Sequence, residues 1–244
     1  MKKVITFLAV LSIVLSLGLV YLGVKARTSG ISIFSSLYVI NEKYFGEPAD
    51  IRFWVTPDQY AIRKQAEEFK TDNEIATITK TYNWLENGYH YEEDDLVILN
   101  NGHIVLRGGA DSWNLPIFTL AIKHQNNGEA WLDCEDGSFL LASLLRANGI
   151  DAWVNIGTVS INGSLYGHAW VTVNTNGKEY LLETTLGQSL SELRPVPSFY
   201  KVAVKFNEKD VIAVTGEDIN KQIYPPLPVG KVSELKKALD AYEP

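Results

Sequence analysis

The sequence predicts an α+β fold in which a buried helix packs on an antiparallel sheet, and three observations carry that prediction. Residues 134–148 are apolar nearly all round: Phe139, Leu140, Leu141, Leu144 and Leu145 cover more than one face, and Gly149 supplies the stop. A helix with no face left for water is a buried helix. The segments 150–159, 169–173 and 180–182 that follow are rich in β-branched and aromatic residues, and Asn174-Thr175-Asn176-Gly177 joins the last two as a hairpin. Finally, 244 residues with 46% hydrophobic and 21% charged content are enough to enclose a core.

The elements follow in chain order. Residues 4–24 carry no charge and are flanked by Lys2-Lys3 and by Lys25-Ala26-Arg27. About 20 apolar residues span a bilayer as a helix, whereas a secretory apolar region usually runs to about 7–15. Residues 1–27 are therefore expected to be a signal anchor, giving a single-pass membrane protein whose body is extracytoplasmic, provided Lys2, Lys3 and the amino terminus outweigh Lys25 and Arg27. The competing reading is cleavage after Ala26 and secretion. Residues 28–72 connect this leader to the body: 31–40 reads as a strand or a tether, and Thr56-Pro57 ahead of Ala61, Ile62, Ala66 and Phe69 reads as a capped helix with proline at its first position.

Residues 73–244 form the main domain, with its core at 75–190. Ile75, Ile78, Tyr82 and Leu85 recur at helical spacing and Gly88 closes the run. The stretch up to residue 130 is rich in turn signals, Asn100-Asn101-Gly102, Gly108-Gly109 and Trp113-Asn114-Leu115-Pro116, with 96–99 and 103–106 as a hairpin. Beyond the core, 200–206 and 211–214 read as a strand pair, 225–228 as an extended connector and 231–242 as a helix. Too few residues follow the prolines for a second domain, so residues 191–244 are expected to complete the same sheet.

Charge narrows the partners. All 29 acidic residues lie beyond the leader, whereas four of the 22 basic ones flank it, which leaves a strongly acidic body. Nucleic acid and anionic lipid surfaces are poor partners for it. The acidic run 92–95 has no spaced partner residues and reads as a solvated loop. One cysteine allows no internal disulfide.

That cysteine is Cys134, in Trp131-Leu132-Asp133-Cys134-Glu135-Asp136-Gly137 at the start of the buried helix. His168 follows in Gly167-His168-Ala169-Trp170, and Glu183 at the end of the next strand. A thiol, an imidazole and a carboxylate in this layout make a nucleophile, its general base and the orienter of that base. A helix N-terminus also favours a thiolate and offers backbone N–H groups to an oxyanion, the Cys134 N–H among them. His90, His103 and His124 read as structural or exposed. Trp131 and Trp170 read either as cleft lining or as core.

Three blocks of this chain resemble the transglutaminase-like superfamily. Asp133-Cys134-Glu135-Asp136 with Phe139 to Ile150 resembles its cysteine block, Gly167-His168-Ala169-Trp170-Val171-Thr172-Val173 its histidine block, and Tyr180-Leu181-Leu182-Glu183-Thr184-Thr185 its third block. Trp113-Asn114-Leu115-Pro116 resembles the tryptophan–proline approach to the cysteine. The resemblance covers roughly residues 75–190. It implies a papain-like core, an acyl-enzyme on Cys134, a protein or peptide substrate, peptidase or amidase activity and no required cofactor. A transamidase, with an amine in place of water, and a non-catalytic binding module are the alternatives. Two positions depart from the pattern: Glu183 stands where aspartate is usual, and Asp133 where glycine is common.

The acidic flank of Cys134 works against a thiolate. A carboxylate about 6 Å away, at an effective dielectric near 20, costs roughly 2–3 kcal/mol. Asp133, Glu135 and Asp136 therefore need partners. One reading makes Asp133 the helix cap, with the others in the first turn on amides or cations. The other, which the resemblance also suggests, holds a calcium ion on Asp133 and Glu135.

Overall fold

The computed structural model describes residues 50–92, 97–98, 104–105, 113–125, 128, 130–187, 189–214 and 227–242. The leader, the 31–40 segment, most of the acidic run, the two glycine turns near 102 and 108, and Pro225-Pro226 lie outside them. Among the described residues no helix is long and apolar enough to cross a membrane. Apart from Gln59–Ala61, the described residues belong to one unit, Asp50–Asp58 and Ile62–Pro244.

A 3-10 turn, Ile51–Trp54, precedes helix α1, Tyr60–Glu67. Helix α1 starts later than Pro57, and Thr56 does not cap it: its hydroxyl accepts no backbone N–H, and its own N–H donates to Ser143 Oγ in the cysteine-bearing helix at 2.9 Å. Helix α2, Glu74–Glu86, is capped by Asn73, whose side chain accepts the Ala76 N–H at 3.0 Å. It buries Ile78, Tyr82 and Leu85 as the spacing predicts, while Ile75 in its first turn is exposed.

Strand β1, Tyr89–Tyr91, comes next, then the hairpin of β2, Val97–Ile98, and β3, Ile104–Val105, which is the core of the predicted 96–99/103–106 pair. Helix α3, Pro116–Gln125, falls where the sequence suggested only turns. The proline that read as a breaker occupies its first position, where a missing N–H costs nothing. Strand β4, Ala130–Leu132, pairs in parallel with β1; three-residue strands are too short to show an alternating pattern.

Helix α4, Cys134–Ala147, buries every residue from Cys134 to Leu145. Burying each large aliphatic side chain contributes about 1.5–3 kcal/mol, which makes α4 the main internal support. It is followed by β5, Asp151–Ile161, β6, Ser164–Thr175, β7, Lys178–Leu182, β8, Arg194–Pro195, β9, Tyr200–Phe206, β10, Val211–Ala213, and helix α5, Val229–Asp240. The strands form one antiparallel sheet of order β10-β9-β5-β6-β7-β8. Residues Asn162 and Asn176 adopt φ of 51° at the two hairpin tips, the geometry that Asn-Gly turns supply.

Helix α4 packs on β5 and β6. Strand β6 buries six consecutive residues, 168–173, so both of its faces are covered. Leu235 and Leu239 of α5 join Val159, Ile161, Trp170, Leu181, Tyr200 and Leu227 in a second apolar cluster. Trp170 is therefore core. The register of β5 on β9 shifts between Ile156 and Gly157, and a Cβ on Gly157 would lie 1.9 Å from the Lys201 carbonyl oxygen. Glycine is required there, and it sits directly opposite His168.

Candidate active site

Cys134 opens α4, and Asp133 caps it by accepting the Asp136 N–H at 3.1 Å. Asp136, fully buried, accepts from the Asn114 N–H at 2.9 Å and from its side-chain amide at 2.8 Å. Trp113 meets Phe139 of α4 edge-on with centroids 5.1 Å apart. Trp113-Asn114-Leu115-Pro116 thus acts as a clamp on the start of the cysteine helix, and two of the three flanking acids are hydrogen-bonded by amides. Gly137 allows the close approach of two other segments: a Cβ there would meet Tyr89 Oη at 2.9 Å and Thr184 Cβ at 3.1 Å.

Glu135 behaves differently. The Cys134 thiol donates to Glu135 Oε2 at 2.8 Å. Burial first, then the charges of Glu135 and Asp133 and the hydrogen bond to Glu135, push the thiol well above its ordinary pKa; the Ala169 N–H, which donates to the sulfur, opposes them. The helix N-terminus does not overcome these effects, so the resting group is a neutral thiol. It lies against the backbone of the residue that follows His168.

His168 is fully enclosed on β6, and its Nε2 contacts Glu183 at 2.9 Å to Oε2 and 3.2 Å to Oε1. Glu183 lies one residue past the end of β7. Val171 pairs with Leu182, which sets Glu183 level with Trp170, two positions short of His168. The longer glutamate side chain spans that offset, which gives a physical reason for glutamate where aspartate is usual. Its Oε1 accepts from the Thr185 N–H at 3.1 Å and the Thr185 hydroxyl at 2.8 Å, and its Oε2 accepts from the Tyr200 hydroxyl at 2.7 Å. Burial raises the Glu183 pKa, but the charge and hydrogen bond of His168 and the bonds from Tyr200 and Thr185 outweigh it, and the carboxyl is held below its ordinary value. An ionised carboxylate only accepts, so Nε2 carries a proton and Nδ1 is the nitrogen left to take up or give up the second one. Nδ1 is buried and has no hydrogen-bond partner.

No protein-family model matches the sequence, and no curated protein matches it. Solved structures do. One is EGTA-treated LapG of Legionella pneumophila, at TM-score 0.41 and 14% identity over 70% of this chain and 90% of that one. Calcium-bound LapG gives 0.39 and 16% over 76% and 99%. A proposed cysteine protease from Cytophaga hutchinsonii gives 0.40 and 18% over 75% of this chain and 57% of that one. The chemistry below is drawn from the site itself.

Of the other histidines, His124 meets Gln65 Oε1 at 2.9 Å and His90 is exposed; His103 lies outside the described residues. The sequence reading did not single out Tyr200, the Thr185 side chain or the Ala169 amide. Thr185 stood in the third block and carried a signal; Tyr200 stood in a strand with nothing to mark its hydroxyl.

Proposed function

We propose that this protein is a thiol peptidase or amidase, with Cys134 as nucleophile, His168 as general base and acid, and Glu183 as orienter. The observation that supports it is the tautomer: Glu183 and its donors commit His168 Nε2 to carrying a proton and leave Nδ1 basic, beside a chain segment whose amide already touches the thiol sulfur. In the forward step the thiol proton passes to Nδ1 and the sulfur attacks the substrate carbonyl carbon, with the Cys134 N–H donating to the oxyanion. The C–N bond then breaks, the leaving amine takes the proton from the imidazolium, and an acyl-thioester remains. Water, deprotonated by Nδ1, attacks that thioester and releases the acid and the thiol.

A calcium ion on Asp133 and Glu135 would compete with the hydrogen bonds these carboxylates accept from the Asp136 amide and the thiol. Among the described residues no group of three or more His, Cys, Asp or Glu side chains is set to hold a metal ion. No step above uses calcium. Equal melting temperatures in chelator and in millimolar calcium would dispose of calcium altogether, whereas a rise with calcium would mark a site formed on binding.

The decisive experiment treats the protein with an electrophilic thiol probe and a peptide library. The parent labels and cleaves, and Cys134→Ala does neither while keeping its fold. Cleavage by that variant ends the proposal, and transfer to added amines in preference to water reassigns the protein as a transamidase. We further propose that residues 4–24 anchor the chain with its body outside the cytoplasm. Carbonate-resistant membrane association is expected, and a mature chain starting at Arg27 would instead establish a cleaved signal.

A further inference from the structure

We propose that Tyr200 is a positioning residue for this reaction: its hydroxyl fixes the orientation of the Glu183 carboxylate and thereby the direction in which His168 presents Nδ1. The inference rests on the assignment of Cys134, His168 and Glu183 above. Glutamate has one more side-chain torsion than aspartate, so a glutamate orienter must be pinned to be as well directed. Here it is pinned at both oxygens. Thr185 holds Oε1 through its N–H and hydroxyl, Tyr200 holds Oε2, and the imidazole bridges the two.

Packing alone does not account for a tyrosine at this position. Tyr200 lies in the apolar cluster of Val159, Ile161, Trp170, Leu181, Leu235 and Leu239, where a hydroxyl is costly without a partner and phenylalanine would fill the space more cheaply. The hydroxyl's partner is the carboxylate. The ring is set edge-on against Trp170, with centroids 4.9 Å apart at 72°, and Trp170 stacks on His168 at 6.1 Å and 24°. One aromatic set therefore fixes both the donor to Glu183 and the ring that Glu183 orients. Tyr200 reaches the site from β9, two strands away from β6, which ties the C-terminal strands to the chemistry. Burial, and then the charge of Glu183, push the Tyr200 hydroxyl well above its ordinary pKa, so it stays a donor over the whole working range.

The test is Tyr200→Phe, which keeps the ring and removes the hydroxyl. The expected result is a fall in kcat of about tenfold or more with KM within about twofold, the loss of one hydrogen bond to a charged group. The acidic limb of kcat/KM moves to higher pH, because a carboxylate with one donor fewer favours the protonated form of the pair, which cannot act as the base. The NMR signal of the His168 Nε2–H proton shifts as well, because its acceptor has changed. In a Glu183→Gln background the same substitution changes kcat by less than about twofold, since its effect runs through Glu183. Unchanged kcat and an unchanged His168 Nε2–H signal would overturn the proposal, as would an independent, additive loss in the Gln background or a lower melting temperature with the pH behaviour of the parent. The Nε2–H signal needs no substrate. A parent without turnover therefore defeats the peptidase reading while the hold of Tyr200 on the pair is still decided.

Discussion

The two halves of the candidate site each bury a carboxylate beside a reacting side chain, with opposite results. Glu183 is surrounded by donors from His168, Thr185 and Tyr200 and stays ionised below its ordinary pKa. Glu135 accepts a hydrogen bond from its neighbour's thiol, and its charge helps to push Cys134 up. Both carboxylates are buried, so burial alone does not set protonation; the direction in which donors point does. The base half is preset before substrate arrives. The nucleophile half keeps its proton on the sulfur, directed at Glu135, and must hand it to His168, so activation has to occur at the cysteine.

The largest break in this comparison is made at Glu183. Glu183→Gln keeps the shape but removes the charge and can offer an N–H to Nε2, so that the ring flips its tautomer and Nδ1 ceases to be the base. Turnover should fall about 10³–10⁴-fold with the fold intact. Glu183→Asp keeps the charge but loses the reach across the two-residue offset, and should retain more activity than the amide. Steady-state kinetics on both variants decides it: a Gln variant as active as the parent would mean that His168 is oriented by another group.

The base half also depends on backbone that has no room. Gly157 lies opposite His168 at the β5–β9 irregularity, and any Cβ there runs into the Lys201 carbonyl. Gly157→Ala should cost about 1–3 kcal/mol, or several degrees in melting temperature, and reduce turnover with it. Calorimetry and activity on one sample check this. An alanine variant that melts with the parent would show that the bulge yields and that the base half is less rigid than its hydrogen bonds imply.

At the nucleophile the prediction has the opposite sign. Glu135→Gln removes one of the charges that raise the Cys134 pKa, so iodoacetamide should alkylate the variant about tenfold faster at pH 7, and the onset of reactivity should move to lower pH. The sign follows from the shift: a thiol raised above its ordinary value gives up its proton only at high pH, and removing the cause of the rise lets ionisation begin sooner. Slower alkylation in the Gln variant would mean that Glu135 assists ionisation, and the contrast between the halves would collapse.

How far this arrangement could be read from sequence depends on what carries each part. Cys134, His168, Glu183 and the Asp133 cap were legible because their signals are local: a helix start, strand ends and a block spacing. The α4 helix and strands β5 to β7 were legible because their apolar patterns run long enough to show a period. Helix α3 was hidden by a proline that reads equally as a stop and as a first helical residue. Tyr200 and the Ala169 amide matter only through partners far away in the chain or in the fold, and the constraint on Gly157 exists only once β9 lies beside it. That the acids flanking Cys134 oppose a thiolate was legible, but which acid would remain on the sulfur depended on Asn114 occupying Asp136.

The smallest effect comes from a third buried charge, one held by neither a carboxylate nor a catalytic partner. Lys123 of α3 donates from Nζ to the carbonyls of Leu85 at 2.9 Å, of Gly128 at 2.8 Å and of Asn87, and it lies 5.2 Å from the Trp84 ring centre. Burial lowers its pKa from 10.5 to about 8, with the charge of Glu86 opposing. Below pH 8 the folded and unfolded chains both carry the proton. Between pH 8 and 10.5 the folded chain has lost it and the unfolded chain has not, so this lysine makes stability rise with pH across that window, the reverse of a lysine paired with a carboxylate. Denaturant melts of the parent and of Lys123→Met between pH 7.5 and 10 (both within reach of ordinary buffers) should show a more positive slope of stability against pH in the parent. Parallel slopes would mean that the carbonyls hold the ammonium well enough to offset its burial, and that backbone acceptors can do for a cation what the donors around Glu183 do for an anion.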